Sequence, residues 1–398
     1  MTQKKFQVLV LNQIAPIGLK QLPGDTYHVA KDVARPDAIL VRSHDMHEMA
    51  IPDSVLAIGR AGAGTNNIPV KAMSERGVPV FNAPGANANA VKELVLAGML
   101  IGARNLAPAL QFVSSLRGNG DNEEQLAKRI EDGKKQFAGM ELPNHTLGVI
   151  GLGKIGSLIA DAAIKLGMNV LGYDPEITVD AAWGLPSQVR KAHSIDEVLK
   201  ASHFVTLHVP LVPATKHLIN AKNLANLRAG GTLLNFSREE IVDAAAVGAA
   251  LDSHHLKCYV TDFPVAGLLG HPGVVALPHL GASTREAEDN CAVMVADQIR
   301  DYLEHGIIQN AVNFPNVVMP REAPHRLAIA NANVPNMVGQ ISSAMAEAGL
   351  NIHNMLNRSK GDMAYTLVDV DSAVKPDVIA KIAAVQGVRG VRYLPRVG

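Results

Sequence analysis

The sequence predicts an α/β protein built on parallel sheets and closed by a smaller α+β module. Three observations carry that expectation. Over the first hundred residues, short apolar runs alternate with helical stretches. Further on, the run LGVIGLGKI leads an apolar strand into three glycines, Gly151, Gly153 and Gly156, at the spacing G-x-G-x-x-G. The last stretch, about 73 residues, follows the order β-α-β-β-α-β, the ferredoxin-like arrangement.

In the first part, strands are expected over residues 6–11, 38–42, 57–60 and 78–82. A long apolar helix over 90–112 comes next, then a polar segment, 116–136. Residue 148 opens the glycine-bearing unit, whose helix over 154–166 ends at Gly167 and whose second strand covers 168–173. Further strands in that unit are expected over 204–208, 232–235, 257–261 and 274–277. A helix over 286–303 should return the chain to the first domain, and Pro315, Pro320 and Pro324 mark a linker. Beyond it come strands over 326–331, 351–358, 364–370 and 388–394, with helices over 337–348 and 376–384. The expected domains are residues 1–98 with 295–318, residues 99–294, and residues 325–398.

Composition bounds the function. At 398 residues the chain has room for two or three domains, with 47% apolar residues to fill their cores. Lys+Arg and Asp+Glu both number 37, so no global charge favours nucleic acid or an anionic membrane as a partner. Aromatic residues make up 4%, too few for the stacking platforms of single-strand binders. The two cysteines, Cys258 and Cys291, have neither disulfide nor metal spacing and read as reduced thiols; no metal is expected. The N-terminal apolar stretch is too short for a secretory signal, and no uninterrupted apolar run approaches the ~18 residues of a membrane span. A cytoplasmic enzyme acting on a small molecule is the expectation.

The three glycines each have a physical task. The first permits a tight strand-to-helix turn, the second lets backbone approach a pyrophosphate, and the third lets helix pack on strand. The anion then sits on free N–H groups at the helix N-terminus. Asp174 follows the second strand, 18 residues after Gly156, where a carboxylate accepts from a ribose 2′-hydroxyl and repels a 2′-phosphate. Pro175 and Glu176 add no positive charge, so NAD is favoured over NADP.

Three further segments carry polar residues that a pure core would not choose. The loop GRAGAGTNN, residues 59–67, combines Arg60 with freed backbone N–H groups; it is a nest for phosphate or carboxylate, or a loop with a solvated Arg. Arg238 follows a strand end, and its partner is either a substrate carboxylate or the neighbouring Glu239 or Glu240. His279 stands at another strand end beside a Gly turn, and any one of 15 histidines is more often a surface or core residue than a base. Oxidising a secondary alcohol needs a base for the hydroxyl proton and a cation for the carboxylate; His279 and Arg238 fit those roles.

With IGRAGAGTNNI, NAPGANANAVKEL, GVIGLGKIG, LLNFSREEIVD and LPHLGAST assembled, the chain resembles the D-2-hydroxyacid dehydrogenase family over nearly its whole length, in the branch that carries a C-terminal ACT domain. The resemblance implies two Rossmann-like domains, a flavodoxin-like substrate domain and an NAD-binding doubly wound domain, plus a ferredoxin-like ACT domain. It implies that NAD contacts Gly151, Gly153, Lys154, Ile155, Gly156 and Asp174, with His208, Pro210 and Asp262 completing the cofactor set. Arg238 would orient the substrate carboxylate, His279 would be the acid/base, and Arg60, Arg42, Gly62 and Gly64 would hold the substrate's anionic groups. The implied reaction is reversible oxidation of 3-phosphoglycerate to 3-phosphooxypyruvate, which opens serine synthesis. Asn331, Asn333 and Asn351 fall on effector positions for an amino acid, serine in the family; turn-forming Asn around Pro335 is the plainer reading. A homodimer or homotetramer is implied as well.

Two departures stand out. The family's glutamate, which orients the imidazole, lies three residues after the Phe of an F-P motif; here Phe263-Pro264 puts Ala266 there, and no carboxylate occurs between Asp262 and Glu286. Asn336 replaces the usual Gly after the Pro, and Asn tolerates left-handed backbone better than most residues. The alternatives left open are a different D-2-hydroxyacid dehydrogenase, or an NAD-bound sensor with weak turnover.

Overall fold

The computed structural model describes residues 5–117, 120 and 122–395. The chain divides into two compact units, Met1–Asn87 with Arg285–Gly398, and Ala88–Thr284. The boundaries expected at 98/99 and 294/295 fall inside two helices, Ala88–Ala103 and Arg285–His305, each of which belongs wholly to one unit.

The first unit opens with β1 (Phe6–Val10), β2 (Tyr27–Ala30), β3 (Ala38–Val41), β4 (Ala57–Arg60) and β5 (Val80–Phe81), all parallel and in the order β2-β1-β3-β4-β5. That is the flavodoxin-like order. Every residue of β3 is buried, as a strand covered on both faces requires. Val295, Ile299 and Leu303 of helix Arg285–His305 join Val8 and Leu40 in one core. The edge strand β2 escaped the sequence pattern because its four residues YHVA bury little beyond Tyr27, whose hydroxyl donates to Glu304 at 2.6 Å.

The second unit holds β6 (Thr146–Ile150), β7 (Asn169–Tyr173), β8 (Arg190–Lys191), β9 (Phe204–Leu207), β10 (Gly231–Asn235), β11 (Leu256–Thr261) and β12 (Val274–Ala276). All are parallel, in the order β12-β11-β10-β9-β6-β7-β8, so the order reverses at β6 and β9. This is the doubly wound dinucleotide-binding order with one added strand, and ligands bind at its reversal, outside the strands' carboxyl ends.

The expected helix over 90–112 is two helices, Ala88–Ala103 and Leu106–Ser115, bent by 66°. The break is Asn105, at φ 52°, whose amide donates to Ala138 O at 2.9 Å. The polar segment 116–136 contains helix Glu123–Gly133, begun by a capping box between Asn122 and Gln125; residues 118, 119 and 121 of that segment lie outside the described residues. Among the described residues no single helix is long and apolar enough to cross a membrane.

The C-terminal module, part of the first unit, has β13 (His325–Ala332), β14 (Ile352–Lys360), β15 (Met363–Val370) and β16 (Val388–Pro395), antiparallel in the order β14-β15-β13-β16. Helices Met337–Glu347 and Pro376–Ala383 cover one face through Ile341, Met345, Val378 and Ile382. Ala328, Ala330, Tyr365 and Leu367 on the other side of the sheet join the first unit's core. The turn before Met337 places Asn336 at φ 65°, in the left-handed region the sequence anticipated for it.

Candidate active site

At the carboxyl end of β6 the chain turns on Gly151, at φ 92°, and enters helix Lys154–Lys165 at Gly153 without a side-chain cap. The first N–H groups of that helix are therefore left for an anion. A Cβ on Gly156 would overlap the Gly151 carbonyl, whereas one on Gly153 would meet nothing within 4 Å, so the turn is tight beneath and open above. Lys154 and Gly153 are exposed, Ile155 half-buried. After β7, Asp174 accepts from Leu152 N at 2.8 Å and from Glu176 N at 3.0 Å, which orients its carboxylate. Beside it lies a cavity of about 500 Å³ lined by Leu152, Asp174, Ile177, Leu185, Val189 and His193. A bare glycine cradle, an uncapped helix start and an oriented carboxylate beside an apolar cavity fit a dinucleotide.

His208 follows β9 and donates from its backbone to Ile150 O at 2.7 Å. Its ring Nε2 and Thr206 Oγ1 are 2.7 Å apart, and desolvation pushes the imidazole down to about 3, so it is neutral at neutral pH. Pro210 is exposed two residues on.

Beyond β10, Asn235 is fully buried and shapes the loop that carries Arg238. Its Nδ2 donates to Arg238 O at 2.8 Å, and its Oδ1 accepts from Ser237 N at 3.2 Å. Ser237 in turn donates to Leu207 O at 2.6 Å. Arg238 is exposed, which corrects the expectation that burial compels it to find a partner. Its Nη1 donates to Ser237 O at 2.6 Å, and its guanidinium carbon lies 5.9 Å from the centre of the Phe263 ring. Glu240, one of its expected partners, pairs with Lys216 at 2.8 Å; that bond holds the Glu240 carboxyl below its ordinary value.

His279 stands beyond β12 with a left-handed backbone, φ 57°. The fully buried Asp262 holds it there: His279 N donates to Asp262 O at 3.1 Å, while Leu280 N and Gly281 N each donate to one carboxylate oxygen at 2.7 Å. Both Asp262 oxygens are thus engaged by the loop, whereas the resemblance assigns the residue to cofactor. The His279 ring is exposed and lies 4.8 Å from the Phe263 ring at 52°. Among the described residues no carboxylate bonds to it, and Ala266 begins the short turn Ala266–Leu268. Arg238, Phe263 and His279 therefore share one face of the second unit. The part played by Phe263 and Asp262 escaped sequence reading; the adjacency Asp-Phe-Pro after a buried strand was the available signal.

In the first unit, Arg60 Nε donates to Arg42 O at 3.0 Å. A Cβ on Gly62 would overlap the Arg60 guanidinium, so the glycine lets that side chain fold back over the loop; Gly64 lies half-buried in the same loop. Arg42 pairs with Glu288 at 2.8 Å, a bond that lowers the Glu288 carboxyl. In the C-terminal module Asn331 is fully buried, and its Oδ1 has no hydrogen-bond partner among the described residues. Asn333 donates to Gly361 O at 3.0 Å, and Asn351 to Asp371 Oδ2 at 2.6 Å. Among the described residues no group of His, Cys, Asp and Glu is arranged to hold a metal.

Residues 109–281 match the family model described as D-isomer specific 2-hydroxyacid dehydrogenase, NAD binding domain. The chain is 32% identical over 389 residues to the D-3-phosphoglycerate dehydrogenase of Haemophilus influenzae, covering 94% of this chain and 90% of that one. It is 37% identical over 292 residues to the enzyme of that name from Methanocaldococcus jannaschii, covering 71% of this chain and 52% of that one; this chain spans about half the length of that relative. Among solved structures it resembles a 3-phosphoglycerate dehydrogenase of Entamoeba histolytica with bound NAD+, at 25% identity and a TM-score of 0.59, over 78% of this chain and 99% of that one.

Proposed function

The chain belongs to the D-isomer specific 2-hydroxyacid dehydrogenase family, and from that premise we propose that it oxidises 3-phosphoglycerate to 3-phosphooxypyruvate with NAD. The observation that carries the proposal is the approach of Arg238 and His279 to one ring, Phe263, in the unit that also holds the glycine cradle and Asp174.

When bound, NAD accepts the hydride from the carbon that bears the hydroxyl. Arg238, exposed and free of its neighbouring acids, offers a forked cation to the substrate carboxylate and fixes which carbon faces the nicotinamide. His279 takes the hydroxyl proton on a ring nitrogen as the C–H electron pair leaves, and returns it in the reverse direction. Arg60 is proposed to hold the phosphate, and Arg42, already paired with Glu288, to support it.

A substrate panel tests this. We expect kcat/KM for 3-phosphoglycerate to exceed that for D-glycerate by about a hundredfold, a gap that Arg60→Ala should narrow through KM. Equal kcat/KM for the two acids would assign the chain to another D-2-hydroxy acid. We further propose that an amino acid, serine foremost, binds near Asn331, Asn333 and Asn351, a reading supported by the unpaired Oδ1 of Asn331. Self-association of at least two copies is proposed as well, supported by the exposed Leu110 and Val113.

A further inference from the structure

We propose that Phe263 is the positioning residue of this site: its ring braces the Arg238 guanidinium and the His279 imidazole, the task that a carboxylate at position 266 would otherwise share. The inference rests on the roles given above to Arg238 and His279.

The backbone of each partner is fixed independently of its side chain. Asp262 supplies three hydrogen bonds to residues 279–281 and keeps His279 in a left-handed conformation that persists only where its surroundings demand it. Asn235 binds the Arg238 carbonyl. What these bonds leave undetermined is where the two rotatable heads point. Among the described residues no hydrogen bond reaches the imidazole, and Arg238 has one, to its neighbour's carbonyl. The shared contact is the Phe263 ring, at 4.8 Å from the imidazole centre and 5.9 Å from the guanidinium carbon. Both distances lie within the range at which an aromatic face attracts a second ring or a cation.

The ring itself is well placed to serve as a fixed wall. Phe263 N donates to Thr261 Oγ1 at 3.0 Å, and that hydroxyl donates to Asn235 O at 3.2 Å, so the ring and the Arg238 loop hang from one network across β10 and β11. Pro264 stiffens the backbone immediately after it. A phenyl face cannot accept the imidazole proton, so Phe263 orients His279 without fixing its tautomer, which sets its action apart from that of a carboxylate.

The test compares Phe263→Leu with Phe263→Tyr in the full chain. In oxidation of 3-phosphoglycerate, Phe263→Leu should lower kcat about tenfold and raise KM for the acid severalfold, because both heads lose their wall. The NADH dissociation constant and the melting temperature should stay at wild-type values, and Phe263→Tyr, which keeps the ring, should recover kcat to within about threefold. A kcat for Phe263→Leu within about twofold of wild type would overturn the proposal. A second measurement needs no turnover: the His279 Cε1–H resonance should carry a ring-current displacement in wild type and Phe263→Tyr and lose it in Phe263→Leu. Its absence in wild type would likewise overturn the brace. If the wild-type protein oxidises no hydroxy acid, the proposed function fails on its own, and the resonance still decides whether the ring holds the imidazole.

Discussion

Arg238 stands exposed over Phe263, while Glu240, two residues on, pairs with Lys216. A cation so presented gains most when a carboxylate arrives. Arg238→Ala should therefore reduce kcat/KM for the acid by about a hundredfold or more while leaving NADH binding intact. Steady-state rates beside an NADH titration check this, and equal loss of both would make the Arg a structural residue. Position 266 offers the complementary experiment, because a carboxylate near an imidazole favours its protonated form. Ala266→Glu should move the acid limb of the oxidation profile to higher pH and raise the reductive rate at neutral pH. An unmoved limb would mean that residue 266 does not reach His279. Arg238 and His279 were visible as candidates from their residue types at strand ends. Phe263 was not, because its importance depends on the ends of β10, β11 and β12 lying side by side.

At the scale of elements, the strand-to-helix turn after β6 and the strand end that bears Asp174 form one device. The Asp174 carboxylate binds Leu152 N of the turn as well as facing the cavity, so Asp174→Ala should relax the preference for NAD over NADP and loosen the turn together. The ratio of kcat/KM for the two cofactors measures this, and an unchanged ratio would remove Asp174 from discrimination. His208, after β9, makes a separate prediction from its depressed pKa of about 3. The unfolded state takes up a proton near the ordinary histidine value and the folded state does not, so stability falls as pH drops from about 6.5 toward 3. His208→Asn should flatten that fall by at most about 1.4 kcal/mol per pH unit, read from denaturation curves between pH 6.5 and 4. An identical slope in the variant would show the ring to be solvated. Elements with strong periodicity or glycine punctuation were legible in sequence. The short edge strands β2 and β8 and the break at Asn105 were not, because two to four residues carry no period and the bend is set by a tertiary hydrogen bond from Asn105 to Ala138.

For the whole molecule, the C-terminal module holds an ion pair without solvent between β13 and β15, and its arginine also binds backbone carbonyls that precede the module. Arg326 binds both oxygens of Asp369, at 2.6 and 2.9 Å, and its remaining donors reach His305 O and Pro320 O at 3.1 Å; both side chains are fully buried. Asp369→Ala would leave a buried guanidinium unpaired and should cost about 3–5 kcal/mol, with the module released first to protease. Replacing both partners with apolar residues should cost less, and an equal cost would place the strength in packing instead. The order of the three sheets was legible because each has its own signature: alternating runs, a glycine fingerprint and a β-α-β-β-α-β pattern. The unit boundaries were not legible, because neither the apolar helix Ala88–Ala103 nor the amphipathic helix Arg285–His305 says in its sequence which sheet its buried face will cover. The central question for the molecule is whether a site with Ala266 in place of a carboxylate still transfers a hydride. The most direct measurement is NADH formation by the purified full chain from NAD and 3-phosphoglycerate, followed across pH. Saturable turnover that Arg238→Ala cuts about a hundredfold or more and His279→Asn abolishes is the result expected; tight NADH binding with no turnover at any pH would contradict it.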